Sequence, residues 1–176
     1  MIAFVKKPIK ELCTVRREHI VPRANVRYTL YSLPAFDNSH KPEMVDGKDI
    51  KSSKLVVEPD TILFNKLNVK FRRVWNIHEM NEENAICSTE FVPLKTNQNI
   101  LQDYLYYNLI SDALTNTMDA ARKGTSCSQQ RIDIDALFGY EISVPPVAVQ
   151  EKIVNILLGI DKKIKQNEAI NHNLAA

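Results

Sequence analysis

A heptad pattern of apolar residues at the C-terminal end constrains the fold more than any other feature of the sequence. It follows Pro145 and Pro146, which disfavour helix in the residues before them and so separate it from the preceding segment. The side chains that share one face of the predicted helix are Ile153, Ile156, Leu157, Ile160, Ile164, Asn167, Ile170 and Leu174. A stripe this long and narrow, with a polar residue at Asn167, favours pairing with another helix, the polar residue fixing the register. The alternative is a terminal helix that packs on its own domain.

Length and composition leave room for one compact domain before that helix. The chain has 176 residues, of which 44% are hydrophobic and 25% charged, which is ordinary for a globular protein. We expect a domain over residues 1–145 and a helical segment over residues 146–176. No apolar run approaches the length of a membrane span and no signal-peptide pattern begins the chain, so we expect a cytoplasmic protein without membrane contact. Cys13, Cys87 and Cys127 lack metal-ligand spacing and are expected to be structural thiols.

The order of elements within the domain indicates an α+β fold. Strand composition occurs at 28–33, 55–57, 61–65, 72–77, 85–94 and 140–144, with a polar loop at 34–49, and we place Pro93 at a strand end or sheet edge. A single helix is predicted over 100–121, with Asn99 as its N-cap and Gln102 as the capping-box partner. Asp133 caps a short helix ending at Phe138. The sequence therefore predicts a mixed, mostly antiparallel sheet with short helices, followed by a long coiled-coil-like helix.

Charge is balanced overall but unevenly distributed. The net charge is only +2, which specifies no partner. Three stretches poor in acids, at 14–28, 61–78 and 120–132, are rich in lysine and arginine. They either converge on one face, as in a nucleic-acid-binding protein, or form three separate solvated loops.

Two of these stretches carry side chains suited to reading DNA. Lysine and arginine neutralise phosphates, and asparagine, glutamine and arginine can contact base edges in pairs of hydrogen bonds. The candidate DNA-binding residues are Lys66, Asn68, Lys70, Arg72, Arg73, Lys123, Thr125, Ser126, Ser128, Gln129, Gln130 and Arg131. The competing interpretation is a pair of ordinary polar surface loops. We expect Phe71 and Trp75 to lie in the core, because each sits in an apolar strand context.

Motifs for catalysis are absent or weak. The segment around Pro145-Pro146 lacks the amide or acid and the aromatic residue of amino-methyltransferases, and no glycine-rich turn suits S-adenosylmethionine. Asp49-Ile50-Lys51 matches only the end of a magnesium nuclease motif, and it follows a turn rather than lying within a strand. The four histidines are scattered, with no nucleophile pairing visible.

Several segments together resemble the DNA-specificity subunit of type I restriction–modification systems. They occur in the family's order and lie at 59–67, 85–91, 103–107, 124–132 and in the helix that follows Pro145-Pro146. One departure is that such subunits have two recognition domains separated by two long helices, whereas this chain has one domain and one helix. The chain is thus either a fragment or a half-size subunit. Another is that Asp60 stands where the family often has glycine, which alters a turn.

The resemblance implies sequence-specific recognition of one half of a bipartite site in double-stranded DNA, without catalysis. It implies modification and restriction subunits as partners, and those subunits would carry S-adenosylmethionine, magnesium and ATP. Pairing of the terminal helix implies a homodimer where the second half is missing. The alternatives are a helix-mediated scaffold protein that does not bind DNA and a DNA-modifying enzyme.

Overall fold

The computed structural model describes residues 3–79, 83–121 and 130–174, without the side chains of His172 and Leu174. The strands, in chain order, are β1 (Val5–Pro8), β2 (Cys13–Val15), β3 (His19–Ile20), β4 (Arg27–Tyr31), β5 (Glu43–Asp46), β6 (Lys54–Val56), β7 (Thr61–Asn65), β8 (Val74–Ile77), β9 (Ala85–Cys87), β10 (Phe91–Thr96) and β11 (Glu141–Val144). The α-helices are α1 (Leu33–Ser39), α2 (Gln102–Leu109), α3 (Asp112–Ala120), α4 (Ile134–Gly139) and α5 (Val147–Leu174). Short 3₁₀ turns cover Ile9–Glu11, Gly47–Asp49 and Val69–Phe71.

The described strands form three sheets. The central one is antiparallel, in the order β2-β10-β7-β8. A second sheet has the order β3-β6-β9-β4-β5, in which only β4 and β9 run parallel. β1 and β11 form an antiparallel pair. With the short helices and long α5, this arrangement confirms the predicted α+β fold with mostly antiparallel strands.

The central strand β7 is buried on both faces. Its five residues are all buried, and its side chains alternate between two cores as the period of a strand requires. Ile62 and Phe64 belong to a core shared with α2, α3, α4 and the start of α5, whereas Leu63 belongs to a second core with Trp75 and Phe91. The second core lies between the central and the five-stranded sheet. The loops that leave β7 are therefore anchored on a rigid strand.

Two predicted segments differ from the structure. The polar loop expected at 34–49 contains α1 and β5: Ser32 Oγ accepts a hydrogen bond from Ala35 N at 3.1 Å, and Pro34 occupies the first turn, where its missing N–H costs nothing. Pro93 lies inside β10 rather than at its end. Its carbonyl accepts a hydrogen bond from Arg16 N at 3.1 Å, at the point where the pairing of β10 with β2 ends. Its missing N–H therefore interrupts no hydrogen bond within the paired part of the two strands.

The helix predicted over 100–121 is two helices. It breaks at Ile110, and Ser111 caps α3 by accepting a hydrogen bond from Leu114 N at 3.3 Å. The capping box predicted for Asn99 and Gln102 is wrong, because the N-cap of α2 is Leu101 and has no side-chain cap bond. Gln102 instead donates to the side chain of Asn76. Asp133 caps α4 as predicted, accepting from Asp135 N at 3.0 Å.

The predicted long helix is present as α5, which spans 28 residues and therefore extends about 42 Å. Val154 on its second turn is buried in the first core, so the beginning of the helix belongs to the packed domain. Among the helices of the described residues, none has the length and apolar character of a membrane span.

Candidate nucleic-acid interface

The two loops selected from sequence lie side by side. Asn68 N donates to Gln130 O at 2.9 Å, and Ile132 N donates to Lys66 O at 3.0 Å, around a β-bridge between Leu67 and Arg131. We call residues 66–73 and 130–132 the loop cluster. The structure thus brings Lys66, Asn68, Lys70, Arg72 and Arg73 together with Gln130 and Arg131. The other predicted DNA-binding residues lie outside the described part of the chain: Lys123, Thr125, Ser126, Ser128 and Gln129.

The 3₁₀ turn Val69–Phe71 forms the protruding part of the loop cluster. It is flanked by two residues in the left-handed region, Asn68 with φ 50° and Arg72 with φ 47°. Asparagine tolerates this conformation better than most residues, whereas arginine is strained in it. Val69 is buried and fixes the turn to the first core. A strained turn that the surrounding structure holds in one shape presents its remaining side chains in defined positions.

Two exposed cations of the turn contact carboxylates on α3. Lys70 Nζ lies 3.2 Å from Asp119 Oδ2, and the guanidinium of Arg72 is paired with Asp112. The side chains of Lys70 and Arg72 are 61% and 42% exposed. Solvent-exposed ion pairs contribute only about 0–1 kcal/mol, so a phosphate can compete for either cation.

Arg73 is held more firmly than the other cations. Its guanidinium donates to both carboxylate oxygens of Asp37 on α1, each at 2.7 Å, and its side chain is only 14% exposed. The hydrogen bond from this guanidinium holds the pKa of Asp37 below its usual range. The same guanidinium stacks over the ring of Phe71, 4.4 Å from its centroid. Arg73 therefore supports the turn from beneath, which the sequence did not indicate.

The expectation that Phe71 lies in the core is wrong. Its side chain is 63% exposed, because the 3₁₀ turn directs Val69 inward and leaves the ring outside. Trp75 is buried in the second core, as expected, where its ring packs edge-on against Tyr31 and Phe36.

The second loop is tied down in a similar way. The guanidinium of Arg131 donates to Glu90 through two bonds, of 3.0 and 2.7 Å, and the pair holds the pKa of Glu90 below its usual range. Lys66 Nζ donates to Thr89 O at 2.9 Å. Segments that are acid-free in sequence thus acquire carboxylates from Asp37, Glu90, Asp112 and Asp119. These residues were missed from sequence because each is distant from its partner along the chain, by 36 positions for Asp37 and by more for the other three.

The basic stretch 14–28 does not join the loop cluster. Arg16 and Arg17 line a small cavity with Glu58 and Thr61, at the beginning of β7, whereas Lys66 follows its end. Of the two sequence alternatives, convergence on one face holds for the second stretch and the described end of the third, residues 130–132, and not for Arg16 and Arg17 of the first.

The apolar stripe predicted for the C-terminal helix divides into two parts, one buried by the domain and one exposed. Ile153 and Leu157 are half-buried, and Ile153 packs against the first core, so this part is covered by the domain itself. Ile156, Ile160 and Ile164 are 65%, 49% and 49% exposed, and Ile170 is 55% exposed. Asn167 lies on the same exposed side. The side chain of Leu174 is outside the description. The exposed apolar face of α5 thus contains fewer residues than the stripe predicted from the sequence.

Gln150 and Tyr107 fix the direction of α5. The Gln150 side chain is fully buried, accepts from Leu101 N at 2.9 Å, and donates to Asn99 O and Pro145 O at 3.1 and 2.9 Å. Three turns further along α5, Asp161 Oδ2 accepts a hydrogen bond from Tyr107 OH at 2.7 Å. The sequence signal for Gln150 was its place at the helix start after Pro145-Pro146.

The described parts of the chain hold neither a metal-ligand cluster nor a reactive thiol. No cluster of three or more histidine, cysteine, aspartate or glutamate residues there could hold a metal ion. Cys13 and Cys87 are buried free thiols, and burial raises the pKa of each to about 12, which opposes nucleophilic chemistry at neutral pH.

Known proteins resemble both the sequence and the fold. The chain is 26% identical over 134 residues to the Type I restriction enzyme HindI specificity subunit of Haemophilus influenzae, a match covering 75% of this chain and 29% of that protein. The crystal structure of the HsdS subunit from Thermoanaerobacter tengcongensis superimposes with a TM-score of 0.78 at 18% identity, covering 95% of this chain and 44% of that one. The S subunit from M. genitalium gives a TM-score of 0.61 at 16% identity, covering 94% and 41%.

This chain spans less than half the length of each of these relatives. At these identities the solved structures support the fold alone. The family is shown by the sequence: residues 1–176 match the family model of the type I restriction modification DNA specificity domain. Because that match covers the whole chain, the protein belongs to the type I restriction–modification DNA specificity domain family.

Proposed function

We propose that this chain reads one half of a bipartite site in double-stranded DNA for a type I restriction–modification complex, and that it catalyses no reaction itself. The observation that carries the proposal is the loop cluster, in which two segments with phosphate-binding and base-reading side chains adjoin just beyond the end of one rigid strand, β7. Membership of a DNA specificity family supports the same function.

Within the loop cluster, we assign different roles to the cations. Lys70, Arg72 and Arg131 are 61%, 42% and 50% exposed and are suited to phosphate contacts. Lys66 and Arg73 are engaged in internal contacts that shape the loops. Asn68 and Gln130 are the described amides next to these cations, and they are our candidates for contacts with base edges. Lys123, Thr125, Ser126, Ser128 and Gln129 remain candidates from sequence.

The proposed division of labour leaves the chemistry to partner subunits. Modification subunits would bind S-adenosylmethionine and transfer the methyl group, and restriction subunits would use ATP and magnesium. A solved structure that concerns complex assembly and conformational transition of the type I R-M system superimposes on this chain with a TM-score of 0.76 at 17% identity. Such a complex would act on DNA in the cytoplasm.

Residues 1–145 would carry recognition and residues 146–176 the spacing of two recognition domains. The exposed isoleucines of α5 suit a second helix, supplied by another copy of the chain or by the second half of a longer subunit. These same isoleucines are what a scaffold protein without DNA binding would need, and that alternative predicts no salt-dependent DNA binding.

The salt dependence of DNA binding tests the proposal. Each phosphate contact contributes about one unit to the slope of log affinity against log salt, so Lys70→Ala with Arg72→Gly should lower it by about two. Glycine is chosen at position 72 because it removes the cation and retains the left-handed backbone. The matched control, Lys6→Ala with Lys10→Ala, removes the same charge from exposed positions at β1 and the following turn.

Binding should be measured by gel shift on a duplex of mixed sequence, with and without the modification subunit. Equal salt slopes for wild type and the Lys70/Arg72 variant would show that the turn does not contact DNA phosphates. Absence of binding by the wild-type chain in both conditions would exclude the proposed function.

A further inference from the structure

The exposed ring of Phe71 has no structural explanation within the described residues. It is 63% exposed although it belongs to a loop held on both sides by the core. Lys70 and Arg72 flank it in sequence, and Gln130 lies across a shared depression. The ring also borders a groove that contains aromatic and aliphatic side chains, among them Trp75. An exposed ring flanked by two cations suits a nucleobase between phosphates, because aromatic rings stack on bases while lysine and arginine neutralise the backbone.

The ring is held in a fixed position. Arg73 covers one face at 4.4 Å, and the bidentate contact with Asp37 fixes the guanidinium in turn. The backbone closes beneath the ring, with Phe71 N donating to Asn68 O at 3.1 Å and Arg72 N to Val69 O at 2.9 Å. An aromatic ring fixed in advance loses little conformational entropy when a partner stacks on it.

The surrounding ion pairs link the turn to two separate helices. Lys70 and Arg72 contact α3, and Arg73 contacts α1. Non-glycine residues in the left-handed region cost free energy and persist where the surroundings impose them, which is typical of functional sites. The turn therefore presents the ring outward at a conformational cost.

From this geometry we propose that Phe71 is a stacking wedge, whose ring contacts a nucleobase at an opened base step in bound duplex DNA. Apolar side chains act in this way in proteins that bend DNA, where the contact offsets the cost of unstacking. The inference rests on the proposed DNA recognition. It adds a base contact without hydrogen bonds, made by a residue that phosphate-binding and amide chemistry would not select.

The experiment uses a duplex selected from a random pool on the wild-type chain, with 2-aminopurine placed at successive positions. The emission of this base analogue rises when its neighbours unstack. Wild type should raise it at one step. Phe71→Ala should abolish the rise and weaken binding roughly 5- to 150-fold, the range for losing one base–aromatic stack, without changing the salt slope. Phe71→Tyr should retain both properties.

Phe4→Ala is the matched control, because Phe4 is also an exposed phenylalanine, 52% exposed, and precedes β1 in a different sheet. It should behave as wild type. If Phe71→Ala raises the 2-aminopurine emission and binds the duplex as wild type does, Phe71 is not a wedge. That result would leave the proposed DNA recognition unaffected. Weakened association with the modification subunit by that variant, with DNA binding intact, would make the ring a protein contact and overturn the inference. No duplex binding by wild type, with or without the modification subunit, would overturn both proposals.

Discussion

At the scale of single residues, Gln150 joins the long helix to the domain. Its buried amide satisfies three backbone groups that would otherwise lack a partner: Leu101 N, Asn99 O and Pro145 O. We expect Gln150→Leu, which is similar in size, to lower the free energy of unfolding by about 2–3 kcal/mol, because it leaves buried polar groups unpaired. Gln166→Leu, on an exposed position of the same helix, should change it by less than about 0.5 kcal/mol. Urea unfolding of both variants checks the difference.

The Asp37–Arg73 pair should make stability depend on pH. The pKa of Asp37 is lowered from its ordinary value of 3.8 by the Arg73 hydrogen bond, so the folded protein favours the ionised carboxylate. The stabilisation is therefore fully present above pH 3.8 and is lost as pH falls through the lower folded value. Asp37→Asn should lower the urea midpoint at pH 7 and lose this effect at acid pH. Asp49→Asn, at another exposed carboxylate, serves as control; equal midpoints for wild type and Asp37→Asn at pH 7 would contradict the assignment.

The sequence was enough to select candidate residues but not to predict which side chains surround them. Composition was enough to select Lys66, Asn68 and Lys70, because a run of cations and amides without acids can be recognised from the sequence alone. The carboxylates that pair with the cations come from distant elements and depend on the tertiary fold. Phe71 was misplaced for a related reason: an apolar residue beside a strand predicts burial, and a left-handed residue on each side reversed its direction.

At the scale of elements, prediction succeeded where periodicity was long or caps were simple. α5 has a sustained helical period, and Asp133 caps α4 directly. α1 was missed because its two prolines, one at the start and one just beyond its end, read as loop signals, although Ser32-Leu33-Pro34 is a capped helix start. The break between α2 and α3 was missed because apolar spacing continues across Ser111, which starts a new helix.

The exposed isoleucines of α5 should support association between helices. Ile160→Asp with Ile164→Asp places two charges on the exposed apolar face of α5, where a partner helix would bury them unpaired. We expect wild type to form dimers at high concentration in sedimentation experiments and this variant to remain monomeric. Gln166→Asp with Ala169→Asp adds the same charge to a different side of α5, one that lines a groove against the domain. A monomeric wild type, or equal association of both variants, would show that α5 does not carry the dimer contact.

At the scale of the whole molecule, the fold class was predictable and the sheet arrangement was not. Strands followed by helices and a closing strand are typical of an α+β domain, and that order is local information. The partition into three sheets is not local. β4 pairs with β9 in parallel across more than fifty residues, and β10 joins β2 to β7. The consequence for function is that β7, buried on both faces, supports the loop cluster as a rigid base.

Selection from a pool of random-sequence duplexes tests sequence recognition most directly. The wild-type chain, with the modification subunit present, should enrich one short motif corresponding to a half-site. Asn68→Gly removes a proposed base-reading amide and keeps the left-handed backbone, so it should relax one or two positions of that motif and preserve the rest. Enrichment of no motif by wild type would contradict the account, because the chain would then bind DNA without reading it.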